Sequence, residues 1–288
     1  MNSIKKYIKI LRLGEVFLMS GFPLIGTIFS FTEVSIESLL KICFFSFSTF
    51  LMFLSIYTLN SWCGYYYDID NTRLSYMKNI RPGNLLILCI IFMFLSSALY
   101  LIISFKLFIM GIICIFLWLS YSFPKIGLKH VPLAGTILHF LAQIIHFQMG
   151  YSLFQNISIQ SILISMYFSL LFSAGHLHHE IIDFEADKKA CIKTGAVFFG
   201  KDKILKISSS LFFISAMYLF ALYEWKVLQY VELIIFITAY IMQVITQIYL
   251  KINMYSEYKM YLKYRTLYRV YYLLAGLSCG LIKCILIL

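Results

Sequence analysis

The sequence predicts an all-α, polytopic membrane protein: nine transmembrane helices in a bundle, with the N-terminus on the cytoplasmic side. Three observations predict it. Of the 288 residues, 61% are hydrophobic and only 13% are charged, about half the charged fraction of a soluble domain. The apolar residues gather in runs of about 20, the length that crosses a bilayer as a helix. Most of the 24 Lys and Arg residues fall in the segments between those runs or at their ends. In lipid only helices and closed barrels satisfy their backbone groups, and a barrel would show short alternating segments instead.

The chain opens on MNSIKKYIKILRLGEVFLMSGF, a basic amphipathic lead-in without a small-residue cleavage site, so it is expected to be retained. Nine apolar runs follow, at 14–32, 38–60, 84–104, 106–122, 132–153, 159–179, 204–223, 227–250 and 266–287. The fourth is short and the sixth ends among polar residues. Linkers alternate: 33–37, 105, 154–158 and 224–226 are brief, whereas 61–83, 123–131, 180–203 and 251–265 are longer and polar. With the N-terminus inside, 20 Lys and Arg lie in inside segments. Only Lys41, Lys106, Lys226 and Lys283 lie outside. That asymmetry follows the positive-inside rule and supports the count of nine, because a missed helix would scramble it.

The net charge of +11 does not indicate nucleic acid, because the bases occupy short loops where membrane topology requires them. The seven Cys show neither a CxxC pair nor zinc-ligand spacing, and most sit in apolar runs as small core residues. Four prolines and the absence of a Ser/Gly linker leave no obvious place to divide the chain, so one domain is expected over 1–288.

The densest chemistry is in 175–203, GHLHHEIIDFEADKKACIKTGAVFFGKDK. Glu180, Asp183 and Asp187 are spaced i, i+3 and i+7, one face of a helix. Carboxylates this close repel, and a hard divalent cation such as Mg²⁺ removes the repulsion. A solvated helix end at the membrane surface explains the same pattern. A second acidic loop, LNSWCGYYYDIDNTRLSYMKNIRPGN, occupies 59–84. Asn60, Gly64 and Asp68 share a face at i, i+4 and i+8, and Asp70 follows. Both loops fall on the inside. Acid clusters that hold divalent ions, with bases beside them for phosphate, suit a diphosphate ligand. The candidate bases are Lys78, Arg81, Lys125, Lys129, Lys188, Lys189 and Lys193, each of which could equally face lipid headgroups.

Polar groups also lie within the apolar runs. His139, Gln143 and His146 recur at i, i+4 and i+7 in the fifth run. They could orient an acceptor and take its proton, or hydrogen-bond between helices. His176, His178 and His179 precede the second acidic cluster, with His176 and His179 on the face of Glu180 and Asp183. A second role near the acids, or contact with an acceptor, fits them better than metal ligation, because no closed four-ligand set is visible.

The two acidic loops resemble those of the UbiA superfamily of intramembrane prenyltransferases. That family carries N-D-x-x-D-x-x-x-D after its second helix and D-x-x-D-x-x-x-D after its sixth. The second motif is matched by Glu180-x-x-Asp183-x-x-x-Asp187, with Glu for the first Asp. In the first, Asn60 and Asp68 match the outer positions, but Ser61 and Gly64 stand where Asp is usual. Asp70 could replace the lost carboxylate only from an unwound helix end, since on a helix it points about 200° from Asp68. Arg81-Pro82 is similar to the R-P that follows. YSFPKIGLKHVP (121–132) is similar to the family's Y-S-x-P-x-x-L-K, and LRLGEVFLMSGFPLIG to its opening helix.

The resemblance implies a nine-helix bundle around a central, lipid-facing cavity, acting on a prenyl diphosphate at the cytoplasmic rim of the cell membrane. It implies Mg²⁺ held by Asn60, Asp68, Asp70, Glu180, Asp183 and Asp187, with Asp68, Asp183 and Asp187 catalytic. Diphosphate would be bound by Arg81, Lys125, Lys78, Lys188 and Lys189. A small, aromatic acceptor would meet His139, Gln143, His146, His176 and His179. The allylic C–O bond would ionise, and some of the 27 Phe and 22 Tyr would face the cation. An intramembrane terpene cyclase, a non-catalytic family member and a transporter are the rival readings. A transporter would be expected to carry acids in mid-helix, and none of the six acids of the two loops lies there.

Overall fold

The computed structural model describes residues 11–65, 81–123, 126–253 and 256–287. Every regular element among them is helical. The order is α1 (Leu13–Ser30), α2 (Ile36–Gly64), α3 (Pro82–Ile103), α4 (Phe105–Ser122), a 3-10 turn at Leu128–His130, α5 (Ala134–Tyr151), α6 (Ile159–Lys189), α7 (Gly195–Phe199), α8 (Lys201–Glu224), α9 (Tyr230–Asn253) and α10 (Glu257–Ile287).

Among the described residues, eight of these helices are long and apolar enough to cross a membrane: α1 to α4, α6, α8, α9 and α10. The fifth expected run forms α5 but is not among them, because Thr136, His139, Gln143, His146 and Gln148 dilute its apolar character. Large apolar side chains, including Phe94, Ile102, Phe116 and Ile285, stand exposed on the outer helix faces, where acyl chains would meet them.

Short links are set by local chemistry. Ser35, Ser104 and Ser158 each cap the next helix by accepting from the backbone N–H of Ser38, Leu107 and Ser161. At 158–161 the bond is reciprocated in a capping box. Pro82 occupies the first position of α3, where its missing N–H is no loss. Two expected linkers prove largely helical. α6 runs ten residues past the apolar boundary, through the whole acidic motif, and α10 begins at Glu257 rather than near 266. Hydropathy marks where lipid ends; Glu, Lys and Ala continue a helix well beyond it.

The chain divides into two compact units. The first comprises 1–130 and 145–156. Its core includes Phe45, Met52, Phe53, Tyr100, Leu107, Phe147 and Met149. The Tyr100 hydroxyl meets Thr49 Oγ1 at 2.9 Å, and Ser96 Oγ donates to the Ser48 carbonyl at 2.9 Å, which ties α2 to α3 inside the apolar layer. α1 and the end of α5 cross backbone to backbone. A Cβ on Gly26 would overlap the Phe147 carbonyl, and one on Gly150 the Pro23 carbonyl. Thr27 Oγ1 donates to the Gly150 carbonyl at 3.3 Å across this crossing.

The second unit comprises 131–144 and 157–288. Tyr167, Phe168 and Phe236 pack edge to face between α6 and α9. Beside the acidic motif, Leu177, Ile181, Ile182, Ala196, Ile204 and Tyr261 form a compact apolar cluster.

Candidate active site

α6 carries the second acidic motif as regular helix, so side chains at 176, 180, 183 and 187 occupy fixed, adjacent positions. They do not share one environment. Glu180 is 7% exposed, and its Oε2 accepts the Ala196 N–H at 3.1 Å. Ala196 opens α7, so the carboxylate satisfies a backbone donor that the short helix leaves without an internal partner. Gly195 makes the approach possible, since a Cβ there would sit 2.8 Å from Glu180 Oε2. On its other side, Glu180 Oε1 lies 3.6 Å from His176 Nδ1, which also meets Thr136 Oγ1 at 3.1 Å. The His139 ring covers His176, with centroids 4.0 Å apart. The expectation for Glu180 was a metal ligand; its oxygens are engaged within the protein.

Asp183 and Asp187 are partly exposed on the outer turns. Asp183 Oδ2 lies 3.5 Å from His179 Nε2. The other ring nitrogen, His179 Nδ1, receives a hydrogen bond from Arg265 of α10 at 2.6 Å. Arg265 is 8% exposed, a buried guanidinium one turn from the acids. His178 turns to the same helix, donating from Nε2 to the Tyr261 carbonyl at 3.3 Å between the rings of Tyr261, Tyr264 and Tyr268. Lys201 closes the outer edge through Glu185 at 3.3 Å and through its approach to the Phe184 ring, 4.7 Å to the centroid.

The described residues contain no group of three or more His, Cys, Asp or Glu that could hold a metal ion by itself. Two adjacent carboxylates still fit Mg²⁺, which keeps several waters and is commonly bound through one or two carboxylates plus substrate phosphate. The donor set of Asp183 and Asp187 is hard oxygen, with no thiolate to favour a softer metal.

The other expected site residues scatter. Asp68, Asp70, Lys78 and Lys125 lie outside the described residues. Asn60 sits in the last turn of α2, with Oδ1 accepting from Ser122 Oγ at 3.5 Å. Arg81 is exposed at the start of α3. Lys188 and Lys189 are exposed at the end of α6, and Lys188 Nζ stands 5.9 Å above the Phe184 ring. The polar stripe of α5 divides. His139 contacts His176 in the second unit. His146 lies in the first, fully buried, where Trp118 Nε1 donates to its Nε2 at 3.1 Å and the Phe53 ring covers it. Gln143, between them, is fully buried, and neither amide atom has a hydrogen-bond partner among the described residues. Sequence reasoning missed Arg265, Gly195, Ala196 and Thr136. Arg265 falls in the polar 251–265 segment, where nothing in the sequence separates it from the neighbouring bases Lys259 and Lys263.

A profile of the UbiA prenyltransferase family matches residues 21–267. No curated protein sequence matches the chain. Among solved structures, a UbiA homologue from Archaeoglobus fulgidus bound to GPP and Mg²⁺ superposes with a TM-score of 0.71 at 22% identity, over 95% of this chain and 99% of that one. A structure of digeranylgeranylglyceryl phosphate synthase gives 0.70 at 17% identity over 99% of both chains. A UbiA homologue from Aeropyrum pernix K1 gives 0.64 at 12% identity, over 91% of this chain and 98% of that one.

Proposed function

Since this chain belongs to the UbiA prenyltransferase family, we propose that it transfers a prenyl group from a prenyl diphosphate to a small aromatic acceptor. The reading includes a ninth span, α5, an N-terminus in the cytoplasm and acidic motifs at the cytoplasmic face. Because the family profile crosses both compact units, the chain is read as one catalytic domain. The similar homologue from Archaeoglobus fulgidus was solved with GPP and Mg²⁺, which supports the substrate class and the ion.

The observation that carries the reading is the pair Asp183 and Asp187, four residues apart at the polar end of α6 and backed by His179 and the buried Arg265. Asp183 and Asp187 would hold Mg²⁺; Asn60, Asp68 and Asp70 of the first motif are the further candidate ligands. Bound there, the ion supplies charge neutralisation for the diphosphate. Arg81, Lys78, Lys125, Lys188 and Lys189 add fixed positive charge, which makes diphosphate a better leaving group. The allylic C–O bond breaks with its electron pair on the diphosphate oxygen. The acceptor ring supplies the electron pair of the new C–C bond and then loses a proton. His139, Gln143 and His176 form the acceptor side: Gln143 brings an unused buried amide, and the two imidazoles bring a base. His146 and His179 leave the acceptor set in this reading, because Trp118 occupies the first and Arg265 and Asp183 flank the second. Glu180 is assigned to holding α7.

The test is turnover. Purified protein in lipid nanodiscs is incubated with a panel of prenyl diphosphates and aromatic acceptors, with Mg²⁺ or with EDTA. Acceptor-dependent diphosphate release that needs Mg²⁺ supports transfer. Release with a hydrocarbon product and no acceptor would replace transfer by cyclisation. No release with any substrate rejects both.

A further inference from the structure

We infer that Arg265 is a positioning residue, which acts through His179 to hold the Asp183 carboxylate oriented for the metal–diphosphate site; this rests on the function proposed above. A guanidinium offers five N–H donors and no acceptor. His179 Nδ1, 2.6 Å from Arg265 Nη1, must therefore turn its lone pair to the arginine. The neutral ring then carries its proton on Nε2, the nitrogen that faces Asp183 Oδ2 at 3.5 Å. The donor–acceptor direction along the three residues is fixed by the one member that cannot accept.

Burial gives the chain its polarity. Arg265 is 8% exposed, whereas the side chains of His179 and Asp183 are 30% and 24% exposed. A permanent cation sits at the protected end, and the imidazole and the carboxylate beyond it are both more exposed. Removing a charge from water is costly unless it is matched, so a buried arginine here implies that negative charge is kept nearby. Residues that orient metal ligands from behind typically change metal affinity 10–100-fold when replaced. Asp183 and His179 are also one helical turn apart on α6, while Arg265 arrives from α10. The orientation of the carboxylate is thereby referred to a second helix, which a single helix cannot do for itself.

A plain staple between α6 and α10 would use the same contacts, and the two roles separate in binding. The full chain in nanodiscs is titrated with Mn²⁺ at fixed inorganic diphosphate, the bound ion being read by its electron paramagnetic resonance signal, and Tm is recorded in parallel. Arg265→Met and His179→Leu should each raise the Mn²⁺ half-saturation about 10-fold. The double variant should be no weaker than either single, because both remove one chain. Arg265→Lys should recover part of the affinity. Unchanged half-saturation in both single variants, whatever happens to Tm, overturns the inference, as does a double variant weakened by the product of the singles. If Arg265→Met does not fold, His179→Leu alone decides, and unchanged affinity there overturns it. Wild-type protein without any Mn²⁺-dependent diphosphate binding overturns the enzymatic reading and this inference together. Wild-type binding that both variants retain overturns only the inference.

Discussion

Replacing Glu180 separates its two assignments, helix clamp and metal ligand. Its Oε2 accepts the N–H of Ala196, a residue with no exposed surface. In Glu180→Ala that donor is left without its carboxylate partner in an apolar cluster. A hydrogen bond to a charged group contributes about 1.5–3 kcal/mol, and the side-chain void adds to the loss. Taking about 2 kcal/mol, the local opening equilibrium of α7 shifts about 30-fold. Glu180→Gln keeps an oxygen acceptor and loses only the charge, roughly 1 kcal/mol or about fivefold. Hydrogen–deuterium exchange of peptides spanning 191–199, in nanodiscs, reads this directly. The expected order is wild type slowest, Gln faster by a few fold, Ala fastest. Unaltered protection at Ala196 in Glu180→Ala would refute the clamp. The same Gln variant tests the other assignment: as a clamp, its Mg²⁺ half-saturation for diphosphate release stays within about twofold of wild type, whereas a shift of 10-fold or more places Glu180 among the ligands.

Asp183→Asn should remove measurable diphosphate release while leaving Tm and membrane insertion unchanged; full activity would displace the site from α6. Gly150→Ala should lower stability by about 1–3 kcal/mol, seen as a lower Tm, because its Cβ would overlap the Pro23 carbonyl of α1. Gly21→Ala, which has open space around it, is the matched control and should be neutral. His146→Leu should destabilise the protein, by leaving Trp118 Nε1 without its acceptor, yet leave the KM for the aromatic acceptor unchanged. A raised acceptor KM at unchanged Tm would return His146 to the acceptor site.

Helix order was legible because the membrane imposes its period on composition: the nine apolar runs correspond to α1–α6 and α8–α10, of which eight, among the described residues, are long and apolar enough to cross a membrane. The ends were not, since hydropathy reports solvent and not backbone. Ten further residues of α6 keep their intrahelical bonds outside the apolar layer. That extension matters chemically. It makes the spacing of His176, His179, Glu180, Asp183 and Asp187 a rigid one, where a loop would have left it adjustable.

Rigid spacing alone does not give the three carboxylates of the motif one environment, because one face of a helix still spans a wide arc. Glu180 and Asp183 project about 60° apart, and Asp187 returns to within about 20° of Glu180 one layer further out. Sixty degrees is enough to send Glu180 to α7 while Asp183 meets His179. The partner of Glu180 is a backbone N–H, which every residue but proline has, so only the glycine at 195 marked the contact. The α5 stripe divides for a related reason. His139 and His146 lie about 10 Å apart along the axis, far enough for one to reach His176 and the other Trp118. Arg265, 86 residues from His179 in sequence, read as one of several bases in the polar 251–265 segment, with nothing to assign it a partner. A single sequence therefore identifies which polar groups the membrane will not tolerate unpaired, and the fold alone decides which of them pair with each other and which, like the Gln143 amide, have no hydrogen-bond partner among the described residues.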